Sequence, residues 1–248
     1  MKRLHRVTEA EVISEFLKNE FYHPSFHSDR GNFEEVVLQP DLSDELENSI
    51  RRALLFRRRG HMWRELPDDT DWWLVELETQ DLEKIRVFPR AQWRKVSAGS
   101  YQVSDIVERI RKNHFRGSSK EFIAKVQSLS YHLRREHDDS SVLLIGVDER
   151  QPLTILEGNH RLTAALLASP ELARSRFRVI AGFSPSMRQC CWYETNFSTL
   201  WRYFKHRVRN VKDRDADVDR ARHVVKVPQK HSALGAATTT VSPQKPAA

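Results

Sequence analysis

The sequence predicts an α/β fold of the α+β kind, a mixed sheet surrounded by helices. Runs of aliphatic, β-branched and aromatic residues at 72–77, 142–147, 153–156 and 177–183 have the length and composition of strands. Around them, apolar residues recur every three to four positions, the period of half-buried helices. With 248 residues and 39% hydrophobic content, the chain can bury a core as one large domain or one domain with extensions.

In chain order, Met1-Lys2-Arg3-Leu4-His5 leads into a polar helix. Thr8-Glu9-Ala10-Glu11 has the spacing of a capping box, so a first helix runs to about Tyr22 with Val12, Phe16 and Leu17 on one face. A loop containing Pro24 and Gly31 follows, and Ser43 opens a second helix that carries Leu46, Ile50, Ala53 and Leu54 and ends near Gly60. Its Arg51, Arg52, Arg57, Arg58 and Arg59 suit either a nucleic-acid backbone or, as the favoured reading, a solvated face at a helix C-terminus.

Pro67 to Thr70 turn the chain into the strand Trp72–Leu77, where the functional core begins. Ser104 caps a helix to about Asn113, and Ser119 another to about His137. A buried strand follows at 142–147, then a turn at 148–152, a strand at 153–156, a helix through Ala168 and a strand from Phe177 to Phe183. From Asn196 to Asn210, Phe197, Leu200, Trp201 and Phe204 form an apolar stripe expected to pack back on the domain, with Trp192, Tyr193 and Tyr203 also read as core. The organisation is thus a helical N-terminal extension at 1–70, a core at 71–211 and a disordered tail at 212–248.

A net charge of +7 favours acidic partners such as nucleotides, phosphorylated metabolites or nucleic acid. The two cysteines, Cys190 and Cys191, are adjacent, a poor geometry for a relaxed disulfide; they read as core thiols in a reducing, cytoplasmic compartment. No apolar run has the length of a membrane span, so no membrane partner is expected. The eleven histidines and two cysteines show no zinc-site spacing. Walker, dinucleotide-fingerprint and nucleophile-elbow motifs are absent.

The segment Glu157-Gly158-Asn159-His160-Arg161 ends a strand and starts a helix. Such a turn aims free backbone N–H groups and the positive end of the helix dipole at one point, which is where anions bind. His160 and Arg161 in the first helical turn repel that dipole unless an anion or Glu157 offsets them. The plainer alternative is that Asn159 caps the helix while His160 and Arg161 lie in solvent.

This wording resembles the ParB/sulfiredoxin superfamily, whose members carry a Gly-x-x-Arg or Gly-x-His-Arg turn at nucleotide phosphates. The likeness extends loosely from Trp72 to Phe183 and includes the Ile-Arg-x-x-Pro segment at Ile85 to Pro89. It implies a ParB/sulfiredoxin-like mixed sheet. Sulfiredoxins place a redox cysteine between Gly and His, where this chain has Asn159, which rules against sulfinic-acid reduction. The closest wording is the Asp-Gly-His-His-Arg turn of the free serine kinases, which implies a nucleotide-dependent phosphotransferase or nucleotide hydrolase acting on a small hydroxylated substrate.

In that reading Gly158, Asn159, His160 and Arg161 bind the phosphates of ATP, ADP or CTP. Glu157 serves as base or as ligand to Mg2+, and His160 joins it in catalysis. Those kinases carry an acid after the first strand, but residues 84–104 contain none, and Arg86, Arg90, Arg94 and Lys95 crowd the stretch. The base would otherwise come from Glu76, Glu78, Asp105 or Glu108. The resemblance leaves two alternatives: a ParB-like, nucleotide-switched DNA-binding protein, and a degenerate interaction module that keeps the turn for structure alone.

Overall fold

The computed structural model describes residues 1–88, 91–112, 119–136 and 138–212. The readings placed on Pro89, Arg90, Asn113, His114, His137 and the tail from Asp213 lie outside these residues. The fold is mixed α/β: one six-stranded sheet in the order β1-β2-β6-β4-β5-β3, with ten helices among the described residues.

The strands are β1 (Lys2–Arg6), β2 (Asp71–Glu76), β3 (Ile85–Arg86), β4 (Ser141–Gly146), β5 (Leu153–Glu157) and β6 (Arg178–Phe183). β6 runs parallel to β4 and β3 parallel to β5, while the remaining pairings are antiparallel. Because strand side chains alternate, the central strand β4 feeds two cores. Val142 and Leu144 pack with α6 (Val103–Arg111), α7 (Lys120–Arg135) and α8 (Asn159–Ala168). Leu143 and Ile145 pack on the other side with α1 (Glu9–Glu20), α2 (Arg30–Leu38) and α3 (Glu45–Trp63).

This arrangement revises the N-terminal part. Residues 2–6, which lead into α1, form an edge strand that the sequence did not mark, with Arg6 opposite Trp73 and Lys2 opposite Glu76. All five side chains are exposed, so no buried alternation marked them as a strand. The first 70 residues, expected as an extension, supply that edge strand and the helices covering one face of the sheet.

Thr8 does cap α1, accepting from the Glu11 N–H at 3.2 Å. The stretch expected as a loop contains a 3-10 turn at Pro24–Phe26 and the helix α2, held by buried Phe26, Phe33 and Val37. α3 is capped by Asp44, not Ser43, and continues through Gly60 to Trp63. Gly60 marks a close helix approach instead of an end, since a Cβ there would lie 2.0 Å from Asn210 Oδ1 on α10 (Phe197–Lys212).

The arginine cluster of α3 is largely turned inward. Arg51 is fully buried, Arg57 and Arg58 pair with the buried Asp29, and Arg59 pairs with Glu20. Arg52 pairs with Glu9 at the surface. The run that suggested duplex binding is thus taken up by partners within the fold.

Further along, α4 (Thr79–Leu82), α5 (Ala91–Ser97) and α9 (Pro170–Ser175) are short helices that the periodicity did not mark. α6 starts one residue before Ser104, and Ser119 holds the cap position of α7 without a side-chain cap bond. Cys190 and Cys191 are buried and unpaired, and burial pushes their thiols up to about 12 and 11. Trp192 and Tyr193 are buried as expected, whereas the α10 stripe faces outward. Among the described residues, no helix is long and apolar enough to cross a membrane.

Candidate functional site

β5 delivers Glu157 to the sheet's end, Gly158 reverses the chain and α8 starts at Asn159. Gly158, not Asn159, is the helix cap, at φ +97°, where a side chain is strained. A Cβ at Gly158 would also stand 3.1 Å from Val142 Cγ2 in the neighbouring strand. Gly158→Ala should therefore lower stability by about 1–2 kcal/mol and re-aim the turn. Urea unfolding with an unchanged midpoint would contradict this.

The first intrahelical bond of α8 runs from Leu162 N–H to the Gly158 carbonyl at 2.9 Å. Helix geometry leaves the N–H groups of Asn159, His160 and Arg161 without intrahelical acceptors. These residues line a cavity of about 740 Å³, within the size range of small-molecule sites.

A wall of the cavity comes from Asn19 and Glu20 at the end of α1, His23 at the start of the 3-10 turn and Arg59 on α3. Asn19 binds both members of an ion pair. Its Nδ2 donates to Glu157 Oε2 at 2.9 Å and to the Ser141 carbonyl at 3.0 Å, while its Oδ1 accepts from Arg161 Nη1 at 2.8 Å. Arg161 Nη2 in turn donates to Glu157 Oε2. Burial pushes Glu157 from 4.5 up to about 7, with Glu20 adding to the rise, and this outweighs the opposing pull of Arg161.

Arg59 donates through Nε to Glu20 Oε2 at 3.0 Å, and its Nη2 lies 3.2 Å from His23 Nδ1. Across the cavity, Lys125 projects from the exposed side of α7. His160 packs against the edge-to-face pair of Trp93 and Phe122, whose centroids are 4.8 Å apart, at 5.2 Å from each ring. Burial, helped by Lys125 and Arg161, lowers its pKa from 6.5 to about 4. That shift favours the neutral imidazole, whereas the sequence reading put a positive side chain there. The side-chain oxygen of Asn159 is buried without a hydrogen-bond partner, an acceptor open to a ligand donor.

The signature residues converge on one cavity, but other expected contributors do not line it. Arg86 reaches the Tyr193 carbonyl at 3.3 Å. Glu76 pairs with Lys2, Glu78 takes part in the cap of α4 and Glu108 pairs with Lys112; Asp105 also lies off the cavity. The residues that sequence reasoning missed are Asn19, Glu20, His23, Arg59, Gln92 and Lys125. Most lie about a hundred or more positions from the turn, and no local motif signals them.

Glu157, the residue given a magnesium role, stands as a single carboxylate held by its neighbours. Among the described residues, no three His, Cys, Asp or Glu side chains group to hold a metal, and Glu157 Oε2 already receives Arg161 and Asn19. Fold and site together define a mixed α/β protein with a strand–glycine–helix turn at a cavity lined by Arg59, Lys125 and Arg161 together with Glu20 and Glu157. Comparison with protein-family models, curated proteins and solved structures found no match.

Proposed function

We propose that this cavity binds a nucleotide such as ATP, ADP or CTP by its phosphates and transfers a phosphoryl group to a small hydroxylated acceptor. The observation that carries the reading is the α8 turn, whose first residues line a cavity that Arg59 and Lys125 also line. Phosphoryl transfer relies on positioning and on cations around a moving phosphate, and this wall supplies both.

In this mechanism the polyphosphate sits at the N–H groups of Asn159, His160 and Arg161. Arg161 exchanges its bond to Glu157 for a phosphate oxygen. Glu157 carboxylate then takes the proton of the acceptor hydroxyl as its oxygen bonds to phosphorus and the bond to the departing nucleotide breaks. A carboxyl near pH 7 is matched to that exchange. His160, being neutral, offers a ring N–H or lone pair and no charge. Lys125 and Arg59 offset the charge of the phosphates.

Nucleotide at a hundred times its Kd should stabilise the protein by about 2.7 kcal/mol, read as a rise in Tm. Arg161→Ala should remove the shift. Nucleotide turnover should require an added hydroxylated metabolite and fall by about a hundredfold or more in Glu157→Gln. No stabilisation by ATP, ADP, CTP or GTP would overturn the proposal and leave the turn as a purely structural device. Salt-sensitive duplex binding that responds to nucleotide would instead favour the DNA switch.

A further inference from the structure

The helix α10 is two-faced in an unexpected sense. Its inner side docks on α3 and the loop beyond it. Thr199 and Asn210 are buried, and the buried carboxylate of Glu65 receives Arg202 and His206, the latter at 2.7 Å. The apolar stripe of Phe197, Leu200, Trp201, Phe204, Val208 and Val211 points away from the protein, with Phe197 87% and Trp201 54% exposed. The rings of Trp201 and Phe204 stack at 5.9 Å, and Lys205 Nζ lies 5.7 Å from the Trp201 ring. Across its 16 residues the helix carries five Lys and Arg and no Asp or Glu.

We propose that this face docks in the plane of an anionic lipid surface. An exposed aromatic and aliphatic stripe bordered by cations is the pattern of helices that lie at the boundary between headgroups and acyl chains. The charge of α10 calls for an acidic counterpart. A second copy would set the cations bordering one stripe against those of the other, with no acid on either helix. Nucleic acid has no use for Leu200, Val208 and Val211. An acidic protein that encircles a basic helix is blocked, because the inner side of α10 is bonded to Glu65. A flat surface needs only the one face on offer. The absence of a spanning helix does not bear on this mode, since nothing crosses the bilayer.

The test is co-sedimentation of the full chain with vesicles of phosphatidylcholine alone and of phosphatidylcholine with 30% phosphatidylserine. Partition onto the anionic vesicles should exceed that onto neutral ones at least tenfold and fall with added salt. The double variant W201S/F204S should lose this binding while keeping its Tm, because both side chains are exposed. K205E/R207E should weaken it at least tenfold. Absence of binding to anionic vesicles at low salt would overturn the proposal. So would binding unchanged in W201S/F204S, or a concentration-dependent dimer that the same variant dissolves. None of these readouts involves nucleotide, so the outcome stands apart from the fate of the phosphotransferase reading.

Discussion

Replacing Arg51 by methionine is expected to destabilise the protein by about 3–5 kcal/mol, the range for removing one partner of a buried ionic cluster. The guanidinium is fully buried and uses its fork on four acceptors. Nη1 donates to the Val36 carbonyl at 2.9 Å and Glu47 Oε2 at 2.8 Å, and Nη2 to the Asp41 carbonyl at 2.7 Å and Asn48 Oδ1 at 2.6 Å. Methionine refills much of the stem volume but leaves those acceptors without their donor. Arg51→Lys keeps the charge and loses the planar fork, so its cost should be intermediate. Urea unfolding with constant m measures both. A loss below about 1 kcal/mol for Arg51→Met would restore the view of this run as a solvated helix face.

Glu157 and His160 should tilt the pH dependence of stability in opposite directions over nearly one window. Glu157 titrates at 4.5 in an unfolded chain and at about 7 in the fold. As pH rises through that interval the unfolded chain gives up its proton first, so the contribution of Glu157 to stability declines and then levels off above 7. His160 titrates at 6.5 unfolded and about 4 folded, so its contribution is lost as pH falls from 6.5 to 4. Each shift corresponds to roughly 3 kcal/mol, and in the parent protein the two largely cancel.

Single substitutions separate them. Relative to the parent, Glu157→Gln should steepen the gain in stability with rising pH, because the His160 slope is no longer opposed. His160→Leu should do the reverse, exposing a decline from pH 4.5 to 7. Unfolding free energies measured at half-unit intervals from pH 4 to 8 decide it. Difference curves flat across that range would mean that neither group is held away from its ordinary titration.

Much of the fold was legible because it is encoded by short-range patterns. The buried run of β4, the strand–turn–helix at β5 and α8, and the capped start of α1 depend on alternation, helical period and one capping oxygen. The edge strand β1 was not legible, since five exposed side chains carry no alternation and pairing with β2 alone makes it a strand. The helical periodicity of α10 was visible, but its orientation was not. Glu65, Thr199 and Asn210 settle which side faces the protein, leaving Phe197 and Trp201 outside.

At the candidate site, the sequence by itself determined the turn: Glu157, Gly158, Asn159, His160 and Arg161 are contiguous, and their geometry follows from a strand meeting a helix at a glycine with positive φ. Only the tertiary structure decided their charge states and partners. Asn19 joins Ser141, Glu157 and Arg161 across separations of up to 142 positions, and the Trp93–Phe122 pair packs against His160. Titration is set by desolvation and by charges a few ångströms away. Those distances are created when the α1–α3 layer closes on one face of the sheet and α5 and α7 pack on the other.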